Sequence, residues 1–118
     1  MTEQTYQGSC HCQAVQFEAA LDLENTVICN CSRCQRLGAV LTFTPRAKVT
    51  FAKGEDATTQ YLFNKHRIRH QFCPVCGIET FAFVTGKDGT ELVAVNVNCL
   101  DGVDPRALNS KRVDGRSS

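Results

Sequence analysis

Eight cysteines in 118 residues constrain this chain more than any other feature, because they fall into ordered clusters. "CHC" carries Cys10 and Cys12, "CNCSRC" carries Cys29, Cys31 and Cys34, "CPVCG" carries Cys73 and Cys76, and Cys99 stands alone in "VNVNCLD". The opening "MTEQTYQGSC" has neither the basic end nor the apolar stretch of a secretory signal, so the expected location is the cytoplasm. Thiols are kept reduced there, and so dense a set then points to metal or catalysis rather than to disulfides.

Composition removes other classes. The 118 residues fit one domain, 1–118, with one modest core, and no apolar run approaches a membrane span. A formal charge of +1, from 13 basic and 12 acidic residues, gives no global attraction to nucleic acid or to a lipid surface. The one basic cluster, "NKHRIRH", could set Lys65, Arg67 and Arg69 on a phosphate-binding face, but such a run also suits a solvated strand. No membrane partner and no nucleic acid are expected.

Residues rich in β-branched and aromatic types recur along the chain. They predict strands over 14–19, 39–43, 48–51, 58–63, 68–72, 78–84 and 91–97. "TGKDGT" reads as a hairpin turn and "AKGEDAT" as a similar connection. One short helix is predicted in "SRCQRLG", with Ser32 as N-cap and Gly38 as stop. The expected fold class is all-β with short helical turns, and a polar tail that wraps the body or frays.

Cysteine spacing carries the chemistry. Cys73-x-x-Cys76 followed by Gly77 is a knuckle that brings two sulfurs to one metal around a tight turn. Its natural partner is the pair Cys10 and Cys12, which face one side of an extended segment. That pairing leaves Cys29, Cys31 and Cys34 as a tripod. Three protein ligands and an exchangeable fourth place is how catalytic zinc is held. Spacing alone equally admits a closed site completed by Cys99 or a histidine, a metal-free redox cluster, or a different pairing of the clusters. Cys99 reads as a small buried hydrophobe rather than a ligand. His11 would point away from its neighbours' metal, and His66 and His70 read as exposed strand positions.

"GSCHCQAVQFEA", "CNCSRCQRLGA", "FCPVCGIETFAF" and "VAVNVNCLDGVDPRAL", taken in order, resemble the glutathione-dependent formaldehyde-activating enzyme (GFA) family, the centromere-protein-V/GFA domain. The resemblance implies an Mss4-like fold, a β-tent of small zinc-stapled sheets. It implies two Zn²⁺ per chain: a structural one on Cys10, Cys12, Cys73 and Cys76, and a catalytic one on Cys29, Cys31 and Cys34. It also implies a carbon–sulfur lyase that joins formaldehyde to the thiol of glutathione, giving S-hydroxymethylglutathione. The partners are then a small thiol and an aldehyde. No glutathione-binding residue of the family is matched in this chain. Arg33, Arg36, Lys65 and Arg67 are the basic residues that could meet a carboxylate. A reading of another class is a zinc-stabilised binding module with both metals structural, and a third is a thiol redox sensor.

Overall fold

The computed structural model describes residues 3–62, 68–86 and 88–114. Among them, ten strands build two sheets: β1 (Glu3–Ser9), β2 (Gln16–Asp22), β3 (Val27–Cys29), β4 (Leu41–Pro45), β5 (Val49–Lys53), β6 (Thr59–Tyr61), β7 (Ile68–Phe72), β8 (Glu79–Thr85), β9 (Glu91–Asn96) and β10 (Lys111–Val113). The smaller sheet runs β1-β2-β5 and the larger runs β10-β3-β4-β9-β8-β7-β6. The α-helix, α1, spans Ser32–Leu37, and four 3-10 turns complete the regular structure. The fold is mostly β, as the strand-forming runs predict.

Alternation decides which side of each strand is buried. In β2, Phe17, Ala19 and Leu21 point inward, and in β9 Val93 and Val95 do the same. Phe51 of the smaller sheet meets Phe81 of the larger with ring centroids 4.7 Å apart, and Phe83 stands edge-on to Phe81 at 5.0 Å. These rings weld the two sheets into one core. Polar ties run along the same seam, where the Thr44 hydroxyl donates to the Ala20 carbonyl at 3.0 Å.

The cysteine clusters lie where the chain leaves strands. Cys10 and Cys12 sit in the β1–β2 connection of the smaller sheet, and Cys73 and Cys76 in the β7–β8 connection of the larger. Cys29 ends β3, and α1 begins three residues later. Three strands were hidden from the hydrophobic pattern. β1 buries only Gly8, and β3 and β10 are three residues each, with β10 lying parallel to β3 so that Val113 pairs with Cys29. The tail therefore wraps the body as far as Asp114. The expected strand at 58–63 is described only as Thr59–Tyr61, and Lys65, His66 and Arg67 lie outside the described residues.

Candidate metal centres

Two groups of sulfurs converge: those of Cys10, Cys12, Cys73 and Cys76, and those of Cys29, Cys31 and Cys34, each set lying within 4.8 Å of one another. Cys99 joins neither among the described residues. Its thiol donates to the Glu79 carbonyl at 3.9 Å, and burial, followed by the charges of Cys10 and Cys76, pushes it up to about 12.

Local backbone geometry aims the first set. The Gly77 amide donates to the Cys73 carbonyl at 2.8 Å, and the Cys73 amide to the Ile78 carbonyl at 3.0 Å, which folds the knuckle into a closed turn. Gly77 holds φ +79°, a left-handed value that suits glycine. On the other side, the Cys10 amide donates to the Val15 carbonyl at 3.0 Å, and Gln13 carries φ +68° to bring the chain round. Amides also reach the sulfurs: Val15 N–H to Cys10 Sγ and Val75 N–H to Cys73 Sγ, both at 3.4 Å.

The donor set fits a tetrahedral thiophilic cation. Zinc–sulfur bonds of about 2.3 Å place four tetrahedral sulfurs about 3.8 Å apart. Cys12 Sγ lies 3.6 Å from Cys10 Sγ and 3.6 Å from Cys73 Sγ. So many thiols in one place cannot all ionise unaided, because each thiolate raises the next. Hydrogen bonds from the Cys12 and Ile78 amides lower Cys76 to about 6. Cys12, despite the Ala14 amide, is raised to about 11 by desolvation and by the neighbouring sulfurs. A bound divalent cation removes that conflict, so the cluster could hold a metal ion.

The second set is built on the start of α1. The helix N-cap is Cys31 rather than the expected Ser32: Cys31 has extended backbone, φ −61° and ψ 162°, and its sulfur accepts the Cys34 amide at 3.3 Å. A cap side chain accepts from the third helical residue, so the same contact that starts the helix draws Cys31 Sγ toward Cys34. Cys29 Sγ accepts the Cys31 amide at 3.4 Å. Gly38 stops the helix as expected, at φ +72°, its amide donating to the Cys34 carbonyl at 2.9 Å. Burial pushes the Cys31 thiol up, but the Cys34 amide and the two neighbouring sulfurs outweigh it, leaving Cys31 below the ordinary thiol range. Cys34 goes the other way, raised by its burial and then by Cys31 and Cys29.

A cleft of about 470 Å³ opens onto this second set. Cys29 and Cys34 line it together with Asn30, Gln35, Arg112 and Asp114. The C-terminal strand forms one wall: the Asn30 amide donates to the Val113 carbonyl at 3.2 Å, and Asn30 Nδ2 donates to Asp114 Oδ1 at 3.0 Å.

His70 corrects the expectation of an exposed strand position. Its register partner is Ala82, so it occupies the sheet face opposite Phe81 and Phe83, yet it is only 3% exposed. Its Nδ1 lies 3.0 Å from Glu79 Oε2, while Arg33 of α1 bonds the other oxygen, Glu79 Oε1, through Nε at 3.2 Å and also through Nη2. The Arg33 guanidinium stacks over the Tyr61 ring at 4.6 Å from its centroid. Sequence reasoning missed Glu79 altogether. A charged residue three positions after the knuckle, inside an apolar strand, was the available signal, since an ion there must be paired. Of the other cations considered, Arg36 donates to the Ser32 carbonyl at 2.9 Å and Arg69 to Glu91 at 3.0 Å. His11 is exposed between its two cysteines.

Fold and site define a class: a small, mostly β protein whose sheets meet at one four-cysteine cluster, with a second, three-cysteine cluster beside an open cleft. The chain belongs to the glutathione-dependent formaldehyde-activating enzyme family, whose model matches residues 5–112. A crystal structure of a Rhodobacter sphaeroides protein is similar, at 33% sequence identity over 90% of this chain and 97% of that one, with a TM-score of 0.78. No helix among the described residues is long and apolar enough to cross a membrane.

Proposed function

We propose that this chain is a cytoplasmic, single-domain zinc enzyme of carbon–sulfur lyase type, acting on a small thiol and an aldehyde. Glutathione and formaldehyde, joined as S-hydroxymethylglutathione, are the pair that the family's description favours. In this reading Cys10, Cys12, Cys73 and Cys76 hold a structural zinc, and Cys29, Cys31 and Cys34 hold a catalytic one. The observation that carries it is the cleft beside the second cluster. Cys29 and Cys34 line that cleft, whereas Cys10 and Cys73 are buried in the core and Cys12 is the exposed member of the first set.

Zinc held by three protein ligands supplies Lewis acidity, favouring a thiolate over a thiol and polarising a carbonyl oxygen. The chain's own residues do the rest. The cleft admits a small molecule to Cys29 and Cys34, and Arg112 on its wall is a guanidinium suited to a substrate carboxylate. Asn30 and Gln35 bring side-chain amides that match a peptide-like substrate. The reaction balances without an oxidant: a sulfur–carbon bond forms, the carbonyl π bond opens, and the thiol proton ends on the former carbonyl oxygen.

The test is exchange spectroscopy on ¹³C-formaldehyde with glutathione and the zinc-loaded protein. Adduct formation is expected to exceed the uncatalysed rate and to return to it in Cys34→Ala. An unchanged rate with both clusters metal-filled would instead favour the binding-module reading.

A further inference from the structure

The helix that carries Cys34 has little of its own to hold it. α1 is six residues long, and its one buried residue is Cys34 itself. Helices this short are marginal without tertiary packing, so apolar burial does not explain why Cys34 stands where it meets Cys29 and Cys31. A polar anchor does. Arg33, the residue before Cys34, reaches across to Glu79 with two hydrogen bonds, and the Glu79 side chain is 5% exposed. Glu79 is itself held. Its second oxygen meets buried His70, and its backbone carbonyl accepts Asn96 Nδ2 at 2.8 Å. It also starts β8, three residues beyond Cys76. The far end of the clamp is therefore bolted to the large sheet beside the four-cysteine cluster, and the near end to the element that presents Cys34.

We propose that Arg33 and Glu79 are positioning residues for the three-cysteine site: their clamp fixes α1 so that Cys34 is pre-placed against Cys29 and Cys31, raising metal affinity there without either residue touching the metal. The inference rests on the reading that this cluster holds zinc. Groups that orient ligands from outside the coordination sphere commonly change metal affinity by about 10- to 100-fold when removed. Arg33 is suited to the task because its planar fork engages a carboxylate in a fixed orientation, which lysine's single ammonium does not reproduce. The Tyr61 ring beneath the guanidinium restricts it further.

The experiment is competition between the full-length protein and a graded series of zinc chelators, with Co²⁺ substitution as a spectroscopic check on the thiolate set. The variants are Glu79→Gln, Arg33→Gln, Arg33→Lys and the double variant Arg33→Gln/Glu79→Gln. Wild type should show two metals per chain. Glu79→Gln should keep the tight metal and weaken the other by about 10-fold or more, with an altered Co²⁺ thiolate band. Arg33→Lys, on the half-exposed helix surface, should weaken it less. The double variant should lose no more than Glu79→Gln alone, since both changes remove one clamp. Wild-type affinity at the second site in Glu79→Gln and Arg33→Lys would overturn the proposal. Additive losses in the double variant would also overturn it. If Glu79→Gln does not fold, Arg33→Lys decides, and an unchanged second affinity there counts against the clamp. A wild type that takes up only one metal would defeat the functional reading first, and the clamp with it.

Discussion

The two cysteine clusters differ in what supports them. Cys10, Cys12, Cys73 and Cys76 come from two connections, one in each sheet, and each pair is shaped by its own turn with amides aimed at sulfur. Cys29, Cys31 and Cys34 come from six consecutive residues next to the edge strand of the larger sheet, held by a short helix, that three-residue parallel strand and a salt bridge. Metal in the first cluster would close a long loop between the sheets; metal in the second would close almost none. A long loop costs more entropy to close in the unfolded chain, so metal in the first cluster would contribute more to stability. On the proposed reading the second, beside a cleft, is the one whose metal the fold can lose.

That contrast breaks most visibly at Cys73, which is fully buried. Structural zinc contributes about 10 to 16 kcal/mol in small domains, comparable with the whole stability of about 5 to 15 kcal/mol. Cys73→Ser is therefore expected to unfold the protein, seen as loss of near-ultraviolet circular dichroism and of both metals. A folded, one-metal Cys73→Ser would reverse the assignment of roles. Cys34→Ala should behave oppositely: native dichroism, one metal retained, the second absent and turnover gone. Ending the chain after Ser110 removes β10, and with it the strand beside Cys29 and one wall of the cleft. Its expected effect is smaller, a second metal weakened by about 10-fold with the first unchanged, measured by chelator titration. An effect of similar size, on the fold rather than on metal uptake, should come from Gly77→Ala. No atom stands within 4 Å of a Cβ built there, so the cost is only that of the left-handed backbone, about 1 to 2 kcal/mol, read as a lower thermal midpoint.

Legibility from sequence followed the range of the interactions. β7 lies over 68–72 as its residues predict, because alternation of β-branched and aromatic types is local information. The knuckle and the Gly38 stop were legible for the same reason, each being written within a few residues. β1 was not. Its sequence EQTYQGS is largely exposed, and what makes it a strand is full-length pairing with β2. β10 is likewise defined by its partner, as its burial gives no pattern at all. His70 shows the limit most plainly. Its sheet face follows from β periodicity, but its partner Glu79, nine residues on, is held in turn by Arg33, a helix residue 46 positions from Glu79, and that chain of contacts is not local information. The shift of the N-cap from Ser32 to Cys31 belongs with these. Serine is the better capping residue in isolation, yet the chain leaves β3 extended through Cys31, and the sulfur is then the group in reach of the Cys34 amide.

The central claim, that one cluster supports the fold while the other serves the cleft, is tested most directly by counting zinc per chain before and after a mild chelator, on protein purified under reducing conditions, with circular dichroism followed throughout. The account predicts two zincs, one of which leaves while the dichroism stays native, exposing Cys29, Cys31 and Cys34 to alkylation and leaving Cys10 and Cys73 protected. One tightly held zinc with the second cluster empty even after zinc is supplied would contradict it, as would two zincs that leave only together with the fold.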